Sequence, residues 1–188
     1  FEGWDNISPT LLSHCRAVVI VGTPLRSSVT GYDQATTEVL LDYVRKGGGL
    51  FINQSLDQGM GYLTLPAHLM NQFGADILFE KTISAPEFTH RVGEWANDVF
   101  TFTPRVSGPF ATNIRGVWYN SYVDMAMHAG VLPFLARNPW RVVLSAGPGS
   151  RSIPVMRGLE HLDAGLRREG FSDDVPLAGI REYGEGRV

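Results

Sequence analysis

The chain has 188 residues, enough for one domain with a core of its own. Its 44% hydrophobic and 19% charged residues match an ordinary soluble globular composition. A net charge of −3 without a Lys/Arg cluster excludes a nucleic-acid footprint, no apolar run reaches the roughly 20 residues of a membrane span, and the single Cys15 excludes an internal disulfide.

In chain order, Trp4 is followed by a Ser8-Pro9 helix start with Leu11 and Leu12 behind it. Proline suits the first helical position, where no N–H is needed. Ala17-Val18-Val19-Ile20-Val21 is an unbroken, β-branched run, the pattern of a strand covered on both faces. Gly22-Thr23-Pro24 ends it, and a polar loop reaches about Gly31. Ala35, Val39, Leu40, Tyr43 and Val44 then fall at helical spacing, predicting a helix from Tyr32 to Lys46. Asp33 and Glu38 sit towards its positive end and Arg45-Lys46 at its negative end. Gly47-Gly48-Gly49 stops it, and Leu50-Phe51-Ile52 is a second buried strand ending in Asn53-Gln54-Ser55. Strand, helix and strand make a βαβ unit with parallel pairing.

Leu65, Leu69, Met70 and Phe73 predict a helix over Leu63–Phe73, stopped by Gly74, and residues 76–80 read as a third strand. From 84 to 138 the chain turns aromatic, with prolines at 86, 104, 109 and 133, and it reads as an irregular insertion of short strands and loops. Trp140 to Ala146 reads as a strand, and residues 155–169 as partly helical. The stretch from Ala178 to Val188 reads as a hairpin whose second strand has only begun. With the start at Phe1, this predicts a fragment of a longer protein.

The order of apolar strand, Gly22, loop, a helix ending Leu40-Leu41-Asp42-Tyr43-Val44-Arg45-Lys46-Gly47-Gly48-Gly49, strand and polar turn resembles the class I glutamine amidotransferase-like superfamily. It is most similar to divergent domains of larger bacterial proteins, such as the β-galactosidase trimerisation domain group. The likeness covers Arg16 to Phe79 and the closing Arg181-Glu182-Tyr183-Gly184-Glu185-Gly186-Arg187-Val188. It implies an α/β, flavodoxin-like (Rossmann-like) three-layer sandwich with a mostly parallel sheet, carrying the aromatic insertion at 84–138. Active members place a cysteine on a tight turn after the second strand. Here Ser55 stands nearest to that place, without flanking glycines, and Cys15 precedes the first strand.

A serine hydrolase would pair Ser55 with His161 and Asp163, since a hydroxyl needs an adjacent base and the base an orienting carboxylate. His161 lies in a helical stretch rather than on a closing strand, and Ser55 also suits a helix N-cap. His14, His68, His90 and His128 have no ligand spacing, so no metal is expected. Gly147-Pro148-Gly149-Ser150 is a turn rather than a phosphate loop. Trp95, Trp118 and Tyr122 would serve a carbohydrate-binding module if they lay exposed, and a core or an interface if buried. In α/β sheets ligands sit beyond the carboxyl ends of the strands, which points to Thr23, Asn53, Gln54 and Ser55 as ligand-binding residues. The leading expectation is a non-catalytic domain without cofactor, serving assembly or ligand binding in a larger bacterial protein, carbohydrate-processing or envelope-associated. Its expected partners are other domains or subunits, or carbohydrate, and not nucleic acid or membrane.

Overall fold

The computed structural model describes residues 7–21, 34–53, 65–78, 80–85, 87, 89–91, 99–108, 111–120, 131–154, 171 and 173–188. The chain opens on a short helix α1 (Pro9–Leu12), whose N-cap Ser8 accepts the Leu11 amide at 3.3 Å. Strand β1 (Ala17–Val21), helix α2 (Gln34–Arg45) and strand β2 (Gly49–Asn53) follow. β1 and β2 pair in parallel from Ala17↔Gly49 to Val21↔Asn53, so the predicted βαβ unit is present.

The three glycines after α2 do three different things. Gly47 takes the left-handed conformation (φ +106°) and donates to the Val44 carbonyl, while Gly48 donates to that of Tyr43. This 5→2 and 6→1 pair is a Schellman cap, which satisfies the last carbonyls of α2. Gly48 leaves room for the Tyr43 ring, which lies where a Cβ would stand. Gly49 opens β2 against Arg16 and Ala17.

Helix α3 (Leu65–Gln72) leads to β3 (Ala75–Ile77) and β4 (Glu80–Ile83). Next come β5 (Thr89–Arg91), β6 (Val99–Thr103), β7 (Val117–Asn120), β8 (Phe134–Ala136), β9 (Arg141–Ser145) and β10 (Arg151–Pro154). The described chain closes on β11 (Pro176–Ile180) and the hairpin of β12 (Glu182–Tyr183) and β13 (Gly186–Arg187). One mixed sheet has the order β1-β2-β13-β12, with β13 parallel to β2. The other described pairings are antiparallel: β3 with β8, β4 with β10, β9 with β11, and β5-β6-β7.

The flavodoxin-like, Rossmann-like three-layer sandwich is therefore overturned. The described residues form mostly small antiparallel sheets with few helices, and the parallel character is confined to β1, β2 and β13. The physical reason is that a parallel neighbour needs a crossover of a dozen or more residues, usually a helix. After α3 the described strands are short and pair antiparallel, β5-β6-β7 with their chain neighbours and β3, β4 and β9 with strands further along. The predicted third strand over 76–80 is also divided. β3 pairs with β8 and β4 with β10, around Leu78, whose amide donates to Pro133. The expected partly helical stretch at 155–169 lies outside the described residues.

The main core joins Leu12, Ile20, Leu40, Val44, Leu50, Leu69 and Phe73, so α1, α2 and α3 all pack on one face of the β1–β2 pair. The closing hairpin fastens this core from the side. Glu185 donates its amide to the Arg45 carbonyl at the end of α2, and Arg187 donates to that of Gly48. Tyr183 meets the Phe73 ring edge-on at 5.1 Å, and its ring has the Arg45 and Arg181 guanidinium groups over it at 5.6 and 5.4 Å. The Phe73 carbonyl, at the end of α3, accepts from both Trp140 and Arg181. Gly184 (φ +63°) turns the hairpin, and Gly186 faces the carbonyl oxygens of Val44 and Gly48, where no Cβ fits. Gly186→Ala is expected to cost about 1–3 kcal/mol or more, seen as a lower urea midpoint. Glu185→Ala, which changes an exposed side chain in the same turn, should stay within about 0.5 kcal/mol.

Candidate functional site

The pairing Val21↔Asn53 sets the carboxyl ends of β1 and β2 side by side, the place where an α/β sheet holds ligands. Asn53 ends β2 and is exposed. Thr23, Gln54, Ser55, His161 and Asp163 lie outside the described residues, so Asn53 is the predicted site residue that the structure places.

A second feature lies on the strands themselves. Val18, Ile20, Leu50 and Ile52 turn towards the helices. Val19 and Phe51 turn the other way, directly opposite each other in register, and are 63% and 61% exposed. Ala17 lies on the same outer face and is exposed. The register carries that face across the sheet through Gly49 to Arg187 and Glu182, both exposed. The outer face thus has an apolar stripe over β1 and β2, bordered by one cation and one anion. The sequence predicts strands covered on both faces, and here that expectation fails for one of them. A β-branched run encodes a strand more firmly than it encodes which of its side chains the fold covers.

At the amino ends of the same strands, a groove of about 590 Å³ lies between α1 and α2, with Cys15, Arg16, Asp42, Tyr43 and Lys46 in its walls. The Tyr43 hydroxyl donates to the Cys15 carbonyl at 3.2 Å, and Lys46 pairs with Asp42 at 2.6 Å. The Cys15 thiol donates to the Leu11 carbonyl at 3.7 Å. Cys15, Tyr43, Asp42 and Lys46 are thus engaged within the chain, and the groove lies at the opposite end from the expected ligand position.

A buried polar seam follows β4 and β10. Register Ser152↔Thr82 puts Glu80, Thr82 and Ser152 on one inward face, all less than a tenth exposed. Ser152 donates to Glu80 and accepts the Phe171 amide at 2.9 Å, while the Thr82 hydroxyl has no partner among the described residues. Buried as it is, Ser152 links β10 to the Glu80 carboxylate of β4 and to the backbone of Phe171. The period-two alternation of Glu80, Thr82 and Ser84 was the available sequence signal.

Of the aromatic candidates, Trp118 is 55% exposed on β7, opposite Phe102 with ring centroids 5.3 Å apart. Trp95 and Tyr122 lie outside the described residues. Among the described residues no group of three or more His, Cys, Asp or Glu gathers as a metal site, and no helix is long and apolar enough to cross a membrane.

No family model matches the chain, and no curated protein matches it. Among solved structures it is similar to one titled "mmIFT52 N-terminal domain", with a TM-score of 0.62 and 13% identity. The match covers 97% of this chain and 68% of the other. At that identity the likeness is one of fold.

Burial, and then the nearby Cys15, hold the Tyr43 hydroxyl above its ordinary pKa of 10.0, with the Gly49 backbone pulling the other way. The folded chain therefore keeps this proton longer than the unfolded chain does. Its contribution is full below the ordinary tyrosine pKa and is lost as the pH rises through and beyond it. The urea midpoint should fall as the pH rises past the ordinary tyrosine pKa, and Tyr43→Phe should flatten that fall. At pH 8 the variant should be about 1 kcal/mol less stable, for the lost bond to Cys15.

Proposed function

We propose that this chain is a non-catalytic domain, amidotransferase-like in its β1–α2–β2 unit, that serves assembly within a larger protein. The observation that carries the reading is the exposed Val19–Phe51 pair on a parallel two-strand unit. Parallel strands are almost always covered on both faces, so an uncovered apolar pair on such strands supports a covering partner. Fully burying Val19 and Phe51 would contribute roughly 1.5–3 kcal/mol each. A likeness to a structure titled as an N-terminal domain supports reading this chain, too, as one part of something longer.

The test is to compare the size of native particles containing the tagged chain with those containing Phe51→Asp. The original chain should migrate in a larger complex, and the variant at the size of the free chain. The isolated variant should melt within about 2 °C of the original, because residue 51 already meets water. A free original chain, or a variant that stays in the complex, would contradict the assembly reading.

A further inference from the structure

We propose that the buried seam between β4 and β10 holds a monovalent metal cation, sodium or potassium, on the oxygens of Glu80, Thr82 and Ser152. These residues are 7%, 2% and 4% exposed. Glu80 and Thr82 are two positions apart on one strand and so share a face of it. Ser152 stands directly opposite Thr82 in the ladder, where Cβ atoms are about 4.5–5.5 Å apart. Its hydroxyl donates to the Glu80 carboxylate. The three side chains therefore form one cluster of oxygens with Ser152 at its centre.

Two needs in that cluster are unmet. The first is charge. Among the described residues the ion pairs join Asp42, Asp76 and Asp174 to arginine or lysine, and Glu80 has none. A buried carboxylate without a counter-charge is far more costly than a buried hydroxyl. The second is the Thr82 hydroxyl, which has no partner among the described residues. Its neighbours on the same face are engaged, Glu80 by Ser152 and Ser84 by the Tyr119 hydroxyl. A cation beside Ser152 meets both needs at once, whereas a water molecule would partner Thr82 and leave the charge unbalanced.

The donors also select the ion. All three are oxygens, the ligand type of hard cations rather than of zinc or copper. One carboxylate balances one positive charge, and a divalent ion would leave a net charge in the interior. The Ser152 oxygen accepts the Phe171 amide as well, so the ion ties β4, β10 and the chain at Phe171 together.

The experiment melts the purified chain at equal ionic strength in sodium, potassium, calcium or choline chloride, choline being too large for the seam. Sodium or potassium should raise the melting temperature along a saturating curve, as a ligand of the folded state does, and choline should not. The salt that saturates at the lower concentration names the ion. Glu80→Gln should remove the response, while Glu182→Gln, at an exposed carboxylate, should keep it. Thr82→Val, which keeps the outline of the side chain, separates the two cases by sign. Without an ion, valine removes an unpartnered buried hydroxyl, and the variant is at least as stable as the original chain in every salt. With one, the variant is less stable in the alkali salt alone and needs at least about tenfold more of it for half of the effect. Equal melting temperatures in all the salts, an alkali response that survives Thr82→Val, or a response to calcium alone would each overturn the proposal.

Discussion

The contact on which this fold depends is between two stretches of backbone. Gly186 of the closing hairpin lies against the carbonyls of Val44 and Gly48, at the end of α2. No side chain fits there, and the amides of Glu185 and Arg187 complete the approach by donating to Arg45 and Gly48. A residue some 140 positions downstream is thereby held beside β2, and the helix ends of α2 and α3 are tied together through Tyr183, Phe73 and the two arginines. Long-range closure of this kind costs loop entropy that grows slowly with length, so a few well-made contacts suffice to hold it.

That arrangement decides which side of the sheet is finished. With the hairpin fixed at the end of α2, all three described helices lie on one face of β1 and β2, and Phe73 with Leu40 and Val44 is fully enclosed there. The opposite face is set by the same register. Val19 and Phe51 point outward because Ile20 and Leu50 point inward, since side chains alternate along a strand. The outer face is therefore a necessary consequence of the inner one. Its apolar character is a separate property, and the proposed role in assembly rests on it.

Much of the first third of the fold was legible in the sequence, because its signals are local. The β-branched run at 17–21, the helical spacing of Val39, Leu40, Tyr43 and Val44, and the glycines at 47–49 each act on their neighbours. The flavodoxin-like reading extended that single unit to the whole chain, and the remainder does not repeat it. Glu80–Ile83 finds its partner at Arg151–Pro154, some 70 residues away, and a pairing at that distance leaves no mark on either segment alone. The division of residues 76–80 between two sheets was hidden for the same reason. At the site, Asn53 was placed where the sequence put it, at the end of β2. The exposed face was missed because an apolar β-branched run reads as covered on both faces, and the pattern does not say which side chains the fold leaves in water.

The most direct measurement of the one-sided cover is thiol reactivity in a Cys15→Ser background. Single cysteines would replace Phe51, Val19 and Ile20 in turn in the isolated, folded chain, and be labelled with a maleimide. Residues 51 and 19 should react at nearly the rate of an unfolded control, while residue 20, which is 2% exposed, should react far more slowly. Protection of residues 51 and 19 equal to that of residue 20 would show that the chain covers this face itself, and would contradict the account.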